Sequence, residues 1–68
     1  MASLKKLGDK IRRLRKEKGL TQEELAGLAN VDPKTVIEIE NARRKNPTIK
    51  TLNRIAKVFG CTAAELLS

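Results

Sequence analysis

The chain has 68 residues, with 15 Lys and Arg against 8 Asp and Glu, no His, Trp or Tyr, and one Phe. That length allows a single hydrophobic core, so residues 1–68 form one domain, and a core without aromatic bulk has to be built from Leu, Ile, Val and Ala, which favours packed helices over a sheet. No apolar run approaches the roughly 18 residues of a membrane span, MASLKKLGDKIRRL lacks the apolar stretch of a signal peptide, and the lone Cys61 cannot form an internal disulfide, so a cytoplasmic domain without a membrane association is expected.

Leu4, Leu7, Ile11 and Leu14 recur at the three- and four-residue steps of an amphipathic helix, with Lys and Arg filling nearly all positions between them. Gly19 suits a left-handed C-terminal cap with Leu20 packing back on the last turn. Thr21 and Glu24 make a capping box, which starts a second helix at Gln22. Leu25, Ala26, Leu28 and Ala29 are its apolar stripe, and Asn30 fits the left-handed position that ends it. Asp32 is a strong N-cap and Pro33 is tolerated at the first helical position, so a third helix follows, with Val36 and Ile39 on its inner face. Two short helices joined by a tight turn, from Thr21 to Asn41, are the signature of a helix-turn-helix. The segment ARRKNPT is too polar to bury and its Pro47 disfavours helix at Asn46. Thr48 then caps a fourth helix carrying Ile49, Leu52, Ile55, Ala56 and Phe59 and closed by Gly60, and the box of Thr62 with Glu65 launches a short fifth helix through Leu66 and Leu67.

The net charge of +7 points to a polyanionic partner, and its distribution is uneven. Residues 1–19 carry eight Lys or Arg against two acids, residues 20–42 one against five, and residues 43–68 six against one. Positive charge flanks the helix-turn-helix.

Ile11-Arg12-Arg13-Leu14-Arg15, Gly19-Leu20-Thr21-Gln22-Glu23-Glu24-Leu25-Ala26, Ile39-Glu40-Asn41, Asn46-Pro47-Thr48 and Leu52 with Ile55-Ala56 stand in an order and spacing that resembles the Cro and repressor type of helix-turn-helix DNA-binding domain. The resemblance covers residues 7–67 and implies an all-α, compact five-helix, lambda-repressor-like fold in a transcriptional regulator, with repression as the expected outcome. Two positions depart from the pattern. Asn30 stands where Gly is usual in the turn and can take the same conformation at small cost, whereas Ala42 stands where Gly often follows the third helix and disfavours positive φ. The third helix is therefore expected to run slightly longer, shifting the loop from Arg43 to Lys45.

In this geometry the third helix, about residues 33–41, lies in the major groove of double-stranded DNA and offers Pro33, Lys34, Ile37 and Glu38 to base edges. Lys34 can donate to guanine O6 and N7 and Glu38 can accept from the cytosine amine, acting mainly by exclusion; Pro33 and Ile37 can touch a thymine methyl, or Ile37 can complete the core edge. Gln22, at a helix N-terminus, is placed to clamp a phosphate, a role the resemblance also assigns to it. Thr35, Asn41, Arg43, Arg44 and Lys45 lie on flanking surfaces as phosphate contacts, with Arg44 or Lys45 able to reach a minor groove. Glu40 would be repelled by DNA unless neutralised within the protein, and the resemblance implies a pair with Arg15. The bland alternative for any of these Lys and Arg is a solvated face.

Other function classes are weaker. The fold also serves as a protein-interaction module, as in antitoxins and coactivators. Exposed Val58, Ala63 and Leu67 offer a two-fold contact for a homodimer on a palindromic operator, although Leu66 and Leu67 can equally cap the core. The cationic first helix could lie on a membrane, but it lacks aromatic anchors and its apolar stripe is needed for the core. Without His, a metal-ligand cluster, a nucleophile beside a base or a glycine-rich phosphate loop, no enzyme, metal, cofactor or small-molecule ligand is expected. A redox role for Cys61 is disfavoured, and the start at Met1 favours a minimal regulator over a fragment.

Overall fold

A computed structural model describes residues 3–44 and 46–68, and the elements follow from local signals along the chain. Helix α1 (Leu4–Glu17) is capped by Ser3, whose hydroxyl accepts the Lys6 N–H; this cap was not anticipated from the apolar pattern. Helix α2 (Gln22–Ala29) carries the Thr21–Glu24 box with both reciprocal bonds, at 2.9 and 3.0 Å. Helix α3 (Pro33–Glu40) starts on Asp32, which accepts the Lys34 N–H at 2.8 Å. Helix α4 (Ile49–Val58) is capped by Thr48, and α5 (Ala63–Leu67) by the Thr62–Glu65 box. No strand occurs among the described residues.

The first four helices end alike. Gly19, Asn30, Ala42 and Gly60 all have left-handed φ, between 57° and 69°, and the next amide reaches back five residues to a helix carbonyl: Leu20 to Arg15, Val31 to Ala26, Arg43 to Glu38 and Cys61 to Ala56. The expectation for Ala42 is thereby corrected. Alanine adopts the glycine conformation, α3 stops at Glu40, and two well-formed backbone bonds, Ala42 to Ile39 and Arg43 to Glu38, offset the steric cost.

Helix α1 packs on α3 and α5, α2 on α3 and α4, and α4 on α5. Leu7, Ile11, Leu25, Ala26, Val36, Ile39, Leu52, Ile55 and Leu66 fill the shared interior. Helix α1 approaches α3 closely because of Gly8, where a Cβ would stand 2.5 Å from the Ile39 carbonyl oxygen and 2.7 Å from that of Glu40. Leu28 and Ile49, assigned by spacing to apolar faces, are instead 64% and 60% exposed, since each sits at the edge of its helix's stripe. Ala63 also departs from expectation. It is buried, because it opens α5 against the core, and so offers no surface for a two-fold contact; Val58 and Leu67 are half-buried and pack on the same core.

No helix among the described residues is long and apolar enough to cross a membrane.

Candidate nucleic-acid interface

The inner face of α3 is fixed before its outer face can serve any purpose. Val36, Ile39 and Glu40 are buried, and the fully enclosed Glu40 carboxylate is the acceptor on which three helices converge. Arg15 of α1 meets it two-pronged, Nε to Oε2 at 2.6 Å and Nη2 to Oε1 at 2.9 Å, while Arg15 Nη1 donates to the Leu20 carbonyl at 2.8 Å. The pair implied by the resemblance is present. Arg12, which was not singled out for this role, adds Nε to Oε1 at 3.4 Å and donates through Nη2 to the Glu40 carbonyl and to Asn41 Oδ1. Its position one turn before Arg15 on a helix was the available signal.

Burial alone would raise the Glu40 pKa. Hydrogen bonds from Arg15 and Gln22, the Arg15 charge and the bond from Arg12 outweigh it, and the carboxyl is held below the ordinary carboxylate value. The hydrogen bond with Glu40 likewise raises the Arg15 pKa, against the opposing effect of burial.

Gln22 opens α2 beside this cluster, and its Nε2 donates to Glu40 Oε1 at 3.2 Å. The side chain placed for a phosphate by sequence is thus held by the protein at one end of its amide, next to the N-terminus of α2. Asn41, the C-cap of α3, is exposed and accepts from Arg12.

The outer face of α3 presents Pro33, Lys34 and Ile37 to solvent, with Ile37 40% exposed, so Ile37 faces outward rather than completing the core. Glu38 is half-buried, because Arg44 folds back from beyond the helix and donates Nη2 to Glu38 Oε1 at 2.8 Å and to Thr35 Oγ1 at 3.4 Å. Arg44, read as a phosphate or minor-groove contact, therefore lies against α3. Arg43 is exposed, and Lys45 lies outside the described residues. Arg44 is thus joined to Thr35 and Glu38 on α3, Gln22 and Asn41 meet at the Glu40 cluster through Glu40 and Arg12, and Val58 and Leu67 belong to α4 and α5.

Chemically this surface offers donors, a short apolar strip and a helix N-terminus. Among the described residues no cluster of His, Cys, Asp or Glu could hold a metal ion.

Residues 11–66 match the helix-turn-helix family. An uncharacterized HTH-type transcriptional regulator, y4dJ of Sinorhizobium fredii, is 39% identical over 64 residues, spanning 94% of this chain and 82% of that protein. The transcriptional repressor RstR of cryptic phage CTXphi, from Vibrio cholerae, is 39% identical over 59 residues, spanning 87% of this chain and 52% of the relative. In structure, SinR of Bacillus subtilis, the master regulator for biofilm formation solved in complex with DNA, is similar with a TM-score of 0.85 and 34% identity, over 91% of this chain and 98% of that one.

Proposed function

The chain belongs to the helix-turn-helix family, and on that premise we propose that it is a sequence-specific, double-stranded DNA-binding transcriptional regulator that acts in the cytoplasm, without an enzymatic step, as a repressor. The observation that carries the reading is the contrast between the two sides of α3. Its inner face is pinned by the Arg15–Glu40 pair, whereas Pro33, Lys34 and Ile37 stand clear of the protein on the side a major groove would receive. SinR, whose structure with DNA shares this fold, and the repressor RstR support the assignment and its sign.

In this reading Pro33, Lys34, Ile37 and Glu38 form the base-facing strip. Gln22, Thr35, Asn41 and Arg43, with Lys45 by its place in the chain, supply phosphate contacts that set the register and most of the affinity. Two copies bind a palindromic operator.

Selection from a random duplex pool tests this. The expected result is a two-fold consensus bound far more tightly than random duplex, with affinity falling steeply as salt rises. An unsymmetrical consensus would remove the dimer, and no consensus would remove the function. Lys34→Ala should relax preference at one or two base pairs, whereas Arg43→Ala should weaken all sequences alike and flatten the salt dependence.

A further inference from the structure

The pairing of Glu38 with Arg44 divides the labour on the outer face of α3 in a way that neither residue suggests alone. Lys34 and Glu38 stand one helical turn apart, so the Glu38 carboxylate sits near the middle of the strip that would meet DNA. Left bare there, it would be repelled by phosphates on both strands. Arg44 neutralises it at 2.8 Å, arriving from beyond the left-handed reversal at Ala42.

The guanidinium is held in a defined pose. Its Nη2 is engaged by Glu38 and, at the longer 3.4 Å, by Thr35; its Nε is buried and finds no acceptor in the structure. A buried donor without a partner is unfavourable, and the ion pair offsets that cost. Among the described residues the hydrogen bonds of Arg44 all leave from Nη2, so Nη1 keeps its donors for another acceptor. The side chain as a whole is two-fifths exposed.

We propose that Arg44 is a specificity-determining residue that reads a guanine through Nη1 and Nη2, and that Glu38 is its positioning residue rather than a reader of bases. The inference rests on the DNA-binding function proposed above. Guanine presents O6 and N7 as two acceptors side by side in the major groove, the pattern that two terminal nitrogens of one guanidinium match. Nη2 exchanges its long contact with Thr35 for the base and keeps Glu38. An arginine already oriented by a carboxylate loses less side-chain freedom on binding than one drawn from a mobile loop, so the pair sharpens discrimination.

The test measures binding of the wild-type chain and of Arg44→Ala, Arg44→Lys, Glu38→Gln and their double variants to the selected duplex and to each of its single base-pair changes. Arg44→Ala should lose about tenfold or more of the discrimination at one G·C pair. Arg44→Lys should lose most of it too, because a point donor does not replace a fork. Glu38→Gln should relax the same base pair while leaving affinity for random duplex unchanged or higher, and Glu38→Gln with Arg44→Ala should add nothing to Arg44→Ala alone.

The proposal is overturned if Glu38→Gln relaxes a different pair, which would make Glu38 a reader in its own right. It is also overturned if Arg44→Ala weakens every duplex equally with a shallower salt dependence, which would make Arg44 a phosphate contact. A wild-type chain with no preferred duplex would instead remove the parent function, and this inference with it.

Discussion

Glu40 is a carboxylate with no accessible side-chain surface in a domain whose size lets one core supply only about 3–5 kcal/mol, and it is tolerated because Arg15, Arg12 and Gln22 all donate to it. Removing Arg15 leaves that charge enclosed and short of its main partner. Arg15→Ala is expected to cost about 3–5 kcal/mol, comparable to the whole stability of a domain this size, and thermal melting followed by circular dichroism should find it largely unfolded near 37 °C. The lowered Glu40 pKa gives the interaction a pH signature. Its stabilisation is complete above the ordinary carboxylate value of about 4.3 and is lost as pH falls through the lower native value. The urea midpoint of the wild type should therefore drop across that acidic range. Glu40→Gln should be less stable at pH 7 and show a shallower acid decline; equal slopes for the two proteins would remove Glu40 as the titrating group. At this scale the sequence was only partly legible. The Arg15–Glu40 pair followed from a resemblance, but the participation of Arg12 and the capture of Glu38 by Arg44 depend on how a side chain folds back past a helix terminus, which spacing does not encode.

The elements were far more legible, because their boundaries are set by local chemistry. Thr21 with Glu24, Asp32 with Pro33, Thr48, and Thr62 with Glu65 each satisfy amides that a helix leaves open, and each helix begins where they stand. Gly19, Asn30 and Gly60 mark the reversals for the complementary reason. Ala42 escaped this logic, since alanine disfavours left-handed φ and takes it here within the same locally bonded reversal, closed by Ala42 to Ile39 and Arg43 to Glu38. Ala42→Gly should accordingly stabilise the fold by up to about 1 kcal/mol, part of the relief being offset by the greater freedom of unfolded glycine. The melting temperature should rise by several degrees. A fall would mean that the alanine side chain contributes packing that outweighs its strain. Gly8 makes the opposite case. A methyl group there meets backbone oxygens of α3 that cannot rotate away, so Gly8→Ala should destabilise by about 1–3 kcal/mol and weaken specific DNA binding more than random binding, because α3 is displaced from α1. Binding assays below the melting temperature separate the two effects. Helical periodicity located the apolar stripes but not their edges, which is why Leu28 and Ile49 proved exposed.

Across the whole molecule, two of the five acids of the central third, Glu38 and Glu40, are neutralised by cations from the flanking segments. Glu40 is paired with Arg15 and Arg12, Glu38 with Arg44, and Glu24 and Asp32 are turned to helix amides. The outer face of α3 is thus less acidic than residue counting in that segment implies, at the expense of Arg12, Arg15 and Arg44 from the basic flanks. With Ala63 buried and Val58 and Leu67 half-covered and packed on the core, none of the three is fully exposed for pairing two copies. The chain should therefore sediment as a monomer at micromolar concentration and pair on adjacent half-sites. Leu67→Asp should abolish cooperative binding to a two-half-site duplex and leave single half-site affinity within about twofold; retained cooperativity would place the contact elsewhere.

The convergence of α1, α2 and the last turn of α3 on one carboxylate also has a kinetic consequence. A helix of eight residues ordinarily frays from its ends, exchanging amide protons through local opening. Here the C-terminal turn of α3 cannot lift without unpairing a buried charge, so its slowest amides should exchange only when the entire chain unfolds. The segment that meets the partner would then be drawn from the most persistent part of the molecule, and recognition would proceed by docking a rigid rod instead of ordering a loose one.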